Sequence, residues 1–234
     1  MRQPLELPLV CLVTDRRRLA GSGDEGIVRL ARAAARAGAH VVQIRESDLD
    51  DRTLAGLTRR VVDAVSDTPA LVLVNERTDV ALAAGAHGVH LRADSISARR
   101  VRAITPEGFA IGRSVHSAEE ALREEEGADY LIMGTIYATP SKPPTAPLAG
   151  IEGLREVCAR VRVPVLAIGG VTPDRFRPIA GAGASGLAAI RLFSDPMMTS
   201  SPDELEKTLT GLVAEIRDAW AHVTPLRAAG GRQA

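Results

Sequence analysis

The sequence predicts an α/β protein folded as a single (β/α)8 barrel, on three observations. Eight short, near-continuous apolar runs alternate with longer Ala-, Arg-, Glu- and Leu-rich segments, the pattern of parallel strands covered by helices. The chain has 234 residues, of which 45% are hydrophobic, which suits one α/β barrel. A Gly-Ala-x signature recurs at Gly38-Ala39-His40, Gly85-Ala86-His87, Gly127-Ala128-Asp129 and Gly183-Ala184-Ser185, at intervals of 47, 42 and 56 residues. Each copy follows a helix and precedes every second strand, as a quarter-barrel repeat of two βα units requires, with Gly ending the helix in the left-handed conformation.

In chain order, the first strand is expected at Val10–Thr14 and the first helix at Asp24–Ala37. Strand Val41–Arg45, helix Asp51–Ser66, and strands Leu71–Val74 and Gly88–Leu91 follow. Strand Ala110–Ser114 precedes helix Ser117–Glu126, strand Tyr130–Gly134 and helix Ile151–Arg160. Strand Val165–Ile168 leads through Gly169-Gly170 into a helix over Thr172–Ala180, with Thr172 as cap and Pro173 in the first turn. Strand Gly186–Ile190 and a last helix, Pro202–Ala221, complete the pattern. The barrel is expected over residues 1–223, and residues 224–234 as a flexible tail.

Composition excludes several function classes. The formal net charge is zero and aromatics are 3%, which argues against a nucleic-acid partner or base-stacking platform. Cys11 and Cys158 have no metal-ligand spacing and read as reduced thiols. No run approaches a membrane span and the N-terminus has no signal-peptide pattern, so the expectation is a cytoplasmic protein without a membrane partner. Only Lys142 and Lys207 are lysines, against 27 arginines, which singles out a lysine placed in a loop.

In a barrel of this class the site forms where strands end. Gln43 and Arg45 project the same way two residues apart, and a buried Gln and Arg there need partners or a ligand. One partner considered for Arg45 is Glu76, in a structural ion pair. Arg offers a donor fork suited to phosphate. The loop Thr135–Pro144 sets Thr139 and Ser141 beside Lys142, an anion-binding combination. Gly169 and Gly170 put bare backbone before a helix, a phosphate site to which Ile190 and Arg191 at the end of strand eight add. Ser114 ends strand five and His116 follows it, and His116 is the candidate proton-transfer group. Asn75 and Glu76 follow strand three, and Asp94 follows strand four.

The motifs VVQIRE, LVNERTDVALAAGAHGVHL, IGRSVHSAEEA, GADYLIMGTIYATPSKP, VPVLAIGGVTP and GAGASGLAAI, in this order from Leu9 to Leu192, resemble the thiamin phosphate synthase/TenI superfamily. The resemblance implies a (β/α)8 fold, a homodimer and a thiazole phosphate substrate. It implies one of two activities. The synthase couples hydroxymethylpyrimidine diphosphate to thiazole phosphate, releasing pyrophosphate with Mg2+. The TenI-type tautomerase aromatises thiazole phosphate carboxylate by proton transfer and needs no cofactor.

The sequence departs from the synthase pattern at Ser47 (usually Lys), Glu76 (usually Asp), Arg92-Ala93-Asp94 (usually Gly-Gln-x-Asp) and Arg191 (usually Ser). These changes fall on the diphosphate and metal side, since Mg2+ demands near-ideal geometry. They favour the tautomerase, with His116 as acid/base, Arg45 and Lys142 on carboxylate or phosphate oxygens, and Gly169, Gly170 and Arg191 on the phosphate. The alternative is the synthase, with Arg45 and Lys142 on diphosphate and with Asn75, Glu76 and Asp94 around Mg2+. A third reading is a non-catalytic barrel that binds thiamin intermediates.

Overall fold

The computed structural model describes residues 7–19, 21–140, 142–143, 145, 147–198 and 200–223. Its strands are β1 (Leu9–Val13), β2 (Val41–Ile44), β3 (Leu71–Asn75), β4 (Gly88–Leu91), β5 (Ala110–Val115), β6 (Tyr130–Gly134), β7 (Val165–Ile168) and β8 (Gly186–Ala189). They close into an all-parallel barrel in sequence order, and β1 pairs with β8 from Leu9↔Gly186 to Leu12↔Ala189. The helices are α1 (Gly23–Arg36), α2 (Asp51–Ala64), α3 (Thr78–Ala83), α4 (Ala98–Arg102), α5 (Ala118–Glu124), α6 (Gly150–Arg160), α7 (Phe176–Gly181), α8 (Arg191–Met197) and α9 (Pro202–Ala221). The tail expected at 224–234 lies outside the described residues, as does Ser141.

Two layers of apolar side chains hold the barrel. Residues pointing outward from the strands, such as Val10, Leu12, Val42 and Ile111, pack under the helices. Residues pointing inward, including Leu9, Cys11, Val41, Leu73, Tyr130, Ile132 and Leu166, fill the lumen. This alternation follows from the two-residue period of a strand. The helices present matching stripes: α9 buries Leu205, Leu209, Val213 and Ile216 at helical spacing. Its start carries a capping box, with Ser201 and Glu204 each satisfying the other's backbone N–H. Asp50 and Ser117 cap α2 and α5 by accepting from the backbone N–H groups of Thr53 and Glu120.

The Gly-Ala-x repeat has a physical basis in its third residue. Gly38, Gly85, Gly127 and Gly183 all adopt positive φ, between 72° and 99°. The next turn then aims a side chain at the start of an odd strand. His40 Nδ1 accepts from Val10 N (3.2 Å), His87 Nδ1 from Val72 N (3.0 Å) and Asp129 Oδ2 from Ile111 N (2.7 Å). In the fourth copy the Ser185 carbonyl accepts from Leu9 N at 2.8 Å. His40 and His87 thus serve the end of the barrel away from the site.

One helix differs from expectation. The segment after β7 begins as a 3-10 turn, Pro173–Arg175, before the six-residue α7, and Thr172 makes no side-chain cap bond. Pro178 has no N–H to give the carbonyl four residues earlier, so the α-helical ladder starts late. The Arg175 N–H instead bonds the Thr172 carbonyl at 2.9 Å. No helix among the described residues is long and apolar enough to cross a membrane.

Candidate active site

The strand ends open into a pocket of about 1250 Å³. Its floor is the top of the barrel lumen and divides into two halves. Gln43, Asn75, His90 and Ser114, from β2 to β5, make a polar half. Val13, Ile132, Ile168, Ala188 and Ile190, from β1, β6, β7 and the end of β8, make an apolar half. A floor of this kind suits a small molecule with an apolar part and a few hydrogen-bonding groups.

The polar half is linked internally. Gln43 Nε2 donates to Asn75 Oδ1 at 2.9 Å. Gln43 is 3% exposed, yet its Oε1 is buried without a hydrogen-bond partner. A buried acceptor left without a donor is costly, and of the described side-chain atoms in that state Gln43 Oε1 alone belongs to a residue lining the pocket. His90 is buried and touches Ser114 Oγ (2.9 Å) and Tyr130 Oη (3.3 Å) through its two ring nitrogens. Burial, with a contribution from Arg113, depresses the His90 pKa to about 3, so the ring is neutral near pH 7.

Basic groups ring the rim. Arg45 and Lys142 are exposed, line the pocket and form no salt bridge with a described residue. The Arg45–Glu76 pair considered from sequence is absent: the Glu76 carboxylate accepts from the Arg92 backbone N–H. The backbone N–H of Arg45 bonds Thr14 Oγ1 at 3.0 Å, and Thr14 donates to Glu46. Glu46 also takes the Arg16 N–H at 3.0 Å, fixing the β1 and β2 loops together beneath Arg45. Burial pushes the Glu46 carboxyl above its usual range, against these hydrogen bonds. His116 lines the pocket at the rim, 57% exposed, with Nδ1 3.4 Å from Glu120 Oε2. Thr139 lines it as well.

The end expected from sequence to hold phosphate is built differently from that expectation. Gly169 (φ 101°) and Gly170 (φ 61°) both lie in the left-handed region. A Cβ on Gly169 would fall 2.5 Å from Thr135 Cγ2, and one on Gly170 would fall 2.5 Å from the Ala138 carbonyl oxygen. Loops six and seven therefore need glycine to approach this closely. Arg175 secures the contact by donating to the Gly170 carbonyl and stacking over the Tyr137 ring at 4.3 Å. Since a 3-10 turn replaces the expected helix start, the positive charge at this end comes from side chains.

Sequence reasoning found Arg191 there and missed Arg18. Arg18 follows β1 and reaches Asp195 Oδ1 at 2.7 Å and Ser194 Oγ at 3.2 Å. Arg191 Nε reaches Asp195 Oδ2 at 3.1 Å, so one carboxylate aligns two arginines that both line the pocket. Burial raises the Asp195 pKa, but the bonds from Arg18 and Arg191 outweigh it and keep the group below its usual range. The strand-end rule would have reached Arg18. Its place in the run Arg16-Arg17-Arg18, in an arginine-rich chain, hid it.

The expected metal residues are only partly brought together. Asp94 lines the pocket and pairs with the Arg92 guanidinium at 2.8 Å. Glu76 is not among the pocket-lining residues. It has φ 68°, unusual for a non-glycine residue, and its N–H bonds the His90 carbonyl at 2.9 Å. No cluster of three or more His, Cys, Asp or Glu able to hold a metal occurs among the described residues. Mg2+ held jointly with substrate phosphates needs only one or two carboxylates. Of the two expected carboxylates Asp94 alone lines the pocket, which is within the one or two that such a substrate-shared cation needs.

Comparisons with known proteins converge. The family model described as thiamine monophosphate synthase matches residues 10–193. The chain is 36% identical to the thiamine-phosphate synthase of Roseiflexus sp. (strain RS-1), over 91% of this chain and 88% of that one. It is 43% identical to the thiamine-phosphate synthase of Methanoculleus marisnigri, over 69% and 77% of the two chains. Among solved structures, the thiamine phosphate pyrophosphorylase from Pyrococcus furiosus superposes with a TM-score of 0.75 at 30% identity, covering 91% of this chain and 96% of that one.

Proposed function

The chain belongs to the thiamine monophosphate synthase family, and we propose that within it the protein is a thiamine-phosphate synthase, a transferase that couples hydroxymethylpyrimidine diphosphate to thiazole phosphate and releases pyrophosphate. The departures at Ser47, Glu76, Arg92 and Arg191 had favoured the tautomerase. The names of the relatives support the synthase instead. The observation that carries the reading is the orphaned, buried Gln43 Oε1 on the polar floor. The amino group of the pyrimidine supplies the N–H it lacks, and a thiazole phosphate alone does not.

In this proposal the pyrimidine lies over Gln43 and Asn75, with its diphosphate toward Arg45, Lys142 and Ser114. Thiazole phosphate lies over the apolar half, its phosphate between Gly169-Gly170 and the Arg18–Arg191 pair. The pyrimidine methylene C–O bond breaks, and the diphosphate leaves with the electron pair. The thiazole nitrogen lone pair then forms the new C–N bond. Arg45 and Lys142 stabilise the charge that grows on the departing oxygens, the largest contribution a protein makes to such a step. Asp94 and Asn75, which line the pocket, would hold Mg2+, which when bound neutralises diphosphate charge; the Glu76 carboxylate stays on the Arg92 N–H. His116 has no proton to move in this coupling and serves as a rim contact. A homodimer and a cytoplasmic location belong to the same proposal.

The experiment that tests the floor compares the natural pyrimidine diphosphate with an analogue carrying hydrogen in place of the amino group. The analogue is expected to lose about 10²-fold or more in kcat/KM, because it leaves the buried acceptor unmet. Equal turnover of the two would remove Gln43 from the recognition of the pyrimidine.

A further inference from the structure

Three polar groups from three neighbouring strands form a chain that runs from the lumen to the pocket. Tyr130 on β6 is 4% exposed, His90 on β4 is 2% exposed, and Ser114 on β5 lines the pocket. Tyr130 Oη meets His90 Nδ1 at 3.3 Å, and Ser114 Oγ meets His90 Nε2 at 2.9 Å. Gly112 makes the meeting sterically open: a Cβ there would fall 2.4 Å from Tyr130 Oη and 2.5 Å from His90 Nδ1.

Hydrogen-bond accounting gives this chain a direction. A neutral imidazole has one donor and one acceptor nitrogen. The buried Tyr130 hydroxyl carries a proton that needs an acceptor, and His90 Nδ1 is the acceptor within reach among the described residues. If Nδ1 carried the ring proton, it would donate to Tyr130, and the phenolic hydrogen would be left unmet inside the barrel. Such a buried unsatisfied donor costs on the order of 1–3 kcal/mol. With the ring proton on Nε2, Tyr130 donates to Nδ1 and Nε2–H donates to Ser114. The one hydrogen left over is the Ser114 hydroxyl, at the pocket surface.

We propose that Tyr130 and His90 are positioning residues that make Ser114 a fixed hydrogen-bond donor toward an anionic oxygen of the bound diphosphate. This assignment rests on the synthase reading for the identity of the anion, and on the three-residue geometry for its direction. It also removes Ser114 as a nucleophile: His90 offers it a proton and cannot take one away at Nε2. A relay of this kind places a donor without adding charge to a floor that must also bind a neutral ring.

The test has two arms. In the wild-type protein labelled with 15N-histidine, NMR at pH 7 is expected to show His90 as the Nε2–H tautomer with Nδ1 unprotonated. An Nδ1–H tautomer would overturn the proposal, whatever the enzyme's activity. In the second arm, inorganic pyrophosphate with Mg2+ is titrated into wild type, Tyr130→Phe, Ser114→Ala and the double variant. Tyr130→Phe is expected to bind about 3- to 10-fold more weakly. The double variant is expected to bind no more weakly than Ser114→Ala, because the tyrosine acts through the serine. Fully additive losses would show that Tyr130 does not work through Ser114. Failure of wild type to bind pyrophosphate, with the Nε2–H tautomer present, would count against the synthase reading and leave the relay standing.

Discussion

Replacing Arg45 or Lys142 with Ala is expected to lower kcat/KM for the coupling reaction by about 10²–10³-fold each, the usual loss when one preorganised stabiliser of a departing oxyanion is removed. The two side chains lie on opposite sides of the sequence, after β2 and in the β6–α6 loop, yet line one pocket. Neither is neutralised by a salt bridge to a described carboxylate. By contrast, Arg16, Arg77, Arg102 and Arg160 are each paired with an acidic residue. Lys142 is one of only two lysines in the chain, so its retention in this loop is not explained by composition. Arg45→Lys is expected to recover only part of the activity, because a point charge does not reproduce the planar fork on a diphosphate. Steady-state kinetics with each substrate varied checks this: the losses should appear with the pyrimidine diphosphate and leave the KM for thiazole phosphate nearly unchanged. A change below about 3-fold in both variants would place diphosphate stabilisation elsewhere in the pocket.

Gly186→Ala is expected to destabilise the barrel by more than about 3 kcal/mol, the upper range for overpacking a core. Gly186 opens β8 and pairs with Leu9 at the seam where the last strand meets the first. A Cβ at this position would fall 1.9 Å from the Leu9 carbonyl oxygen and 2.6 Å from the Leu9 nitrogen. Both are backbone atoms, so no rotamer change relieves the clash, and moving them opens the seam. Gly211→Ala is the control: Gly211 lies in α9 with no atom within 4 Å of an added Cβ. That change should add up to about 1 kcal/mol, since Gly in a helix interior is less favourable than Ala. Urea unfolding of the two variants beside wild type reads both effects. Equal midpoints for Gly186→Ala and wild type would mean that the seam adjusts more freely than its backbone contacts imply.

The barrel was legible because parallel strands buried on both faces leave unbroken apolar runs, and because the Gly-Ala-x repeat marks the helix ends before even strands. The sequence could not show that His40, His87 and Asp129 close those units by accepting strand N–H groups, since each partner lies 15 or more residues away. The short α3, α4 and α8 lacked enough length to display a helical period. At the site, the strand-end rule located Gln43, Asn75, Ser114, Arg45, Gly169, Gly170 and Arg191, all of which line the pocket. It did not reveal the Arg18–Asp195 contact, which spans 177 positions, or the direction in which Glu76 turns. That direction depends on a left-handed backbone at a residue type that rarely adopts one. The departures on the diphosphate side were visible in the sequence, and it is the names of the relatives that favour the synthase despite them.

The most direct test supplies the protein with thiazole phosphate, hydroxymethylpyrimidine diphosphate and Mg2+, and measures thiamine phosphate and pyrophosphate together. The synthase reading predicts that both appear in equal amounts, only when both substrates are present, and that chelation of Mg2+ stops them. No pyrophosphate under these conditions, alongside aromatisation of thiazole phosphate carboxylate that is lost in His116→Ala, would contradict it and establish the tautomerase in its place.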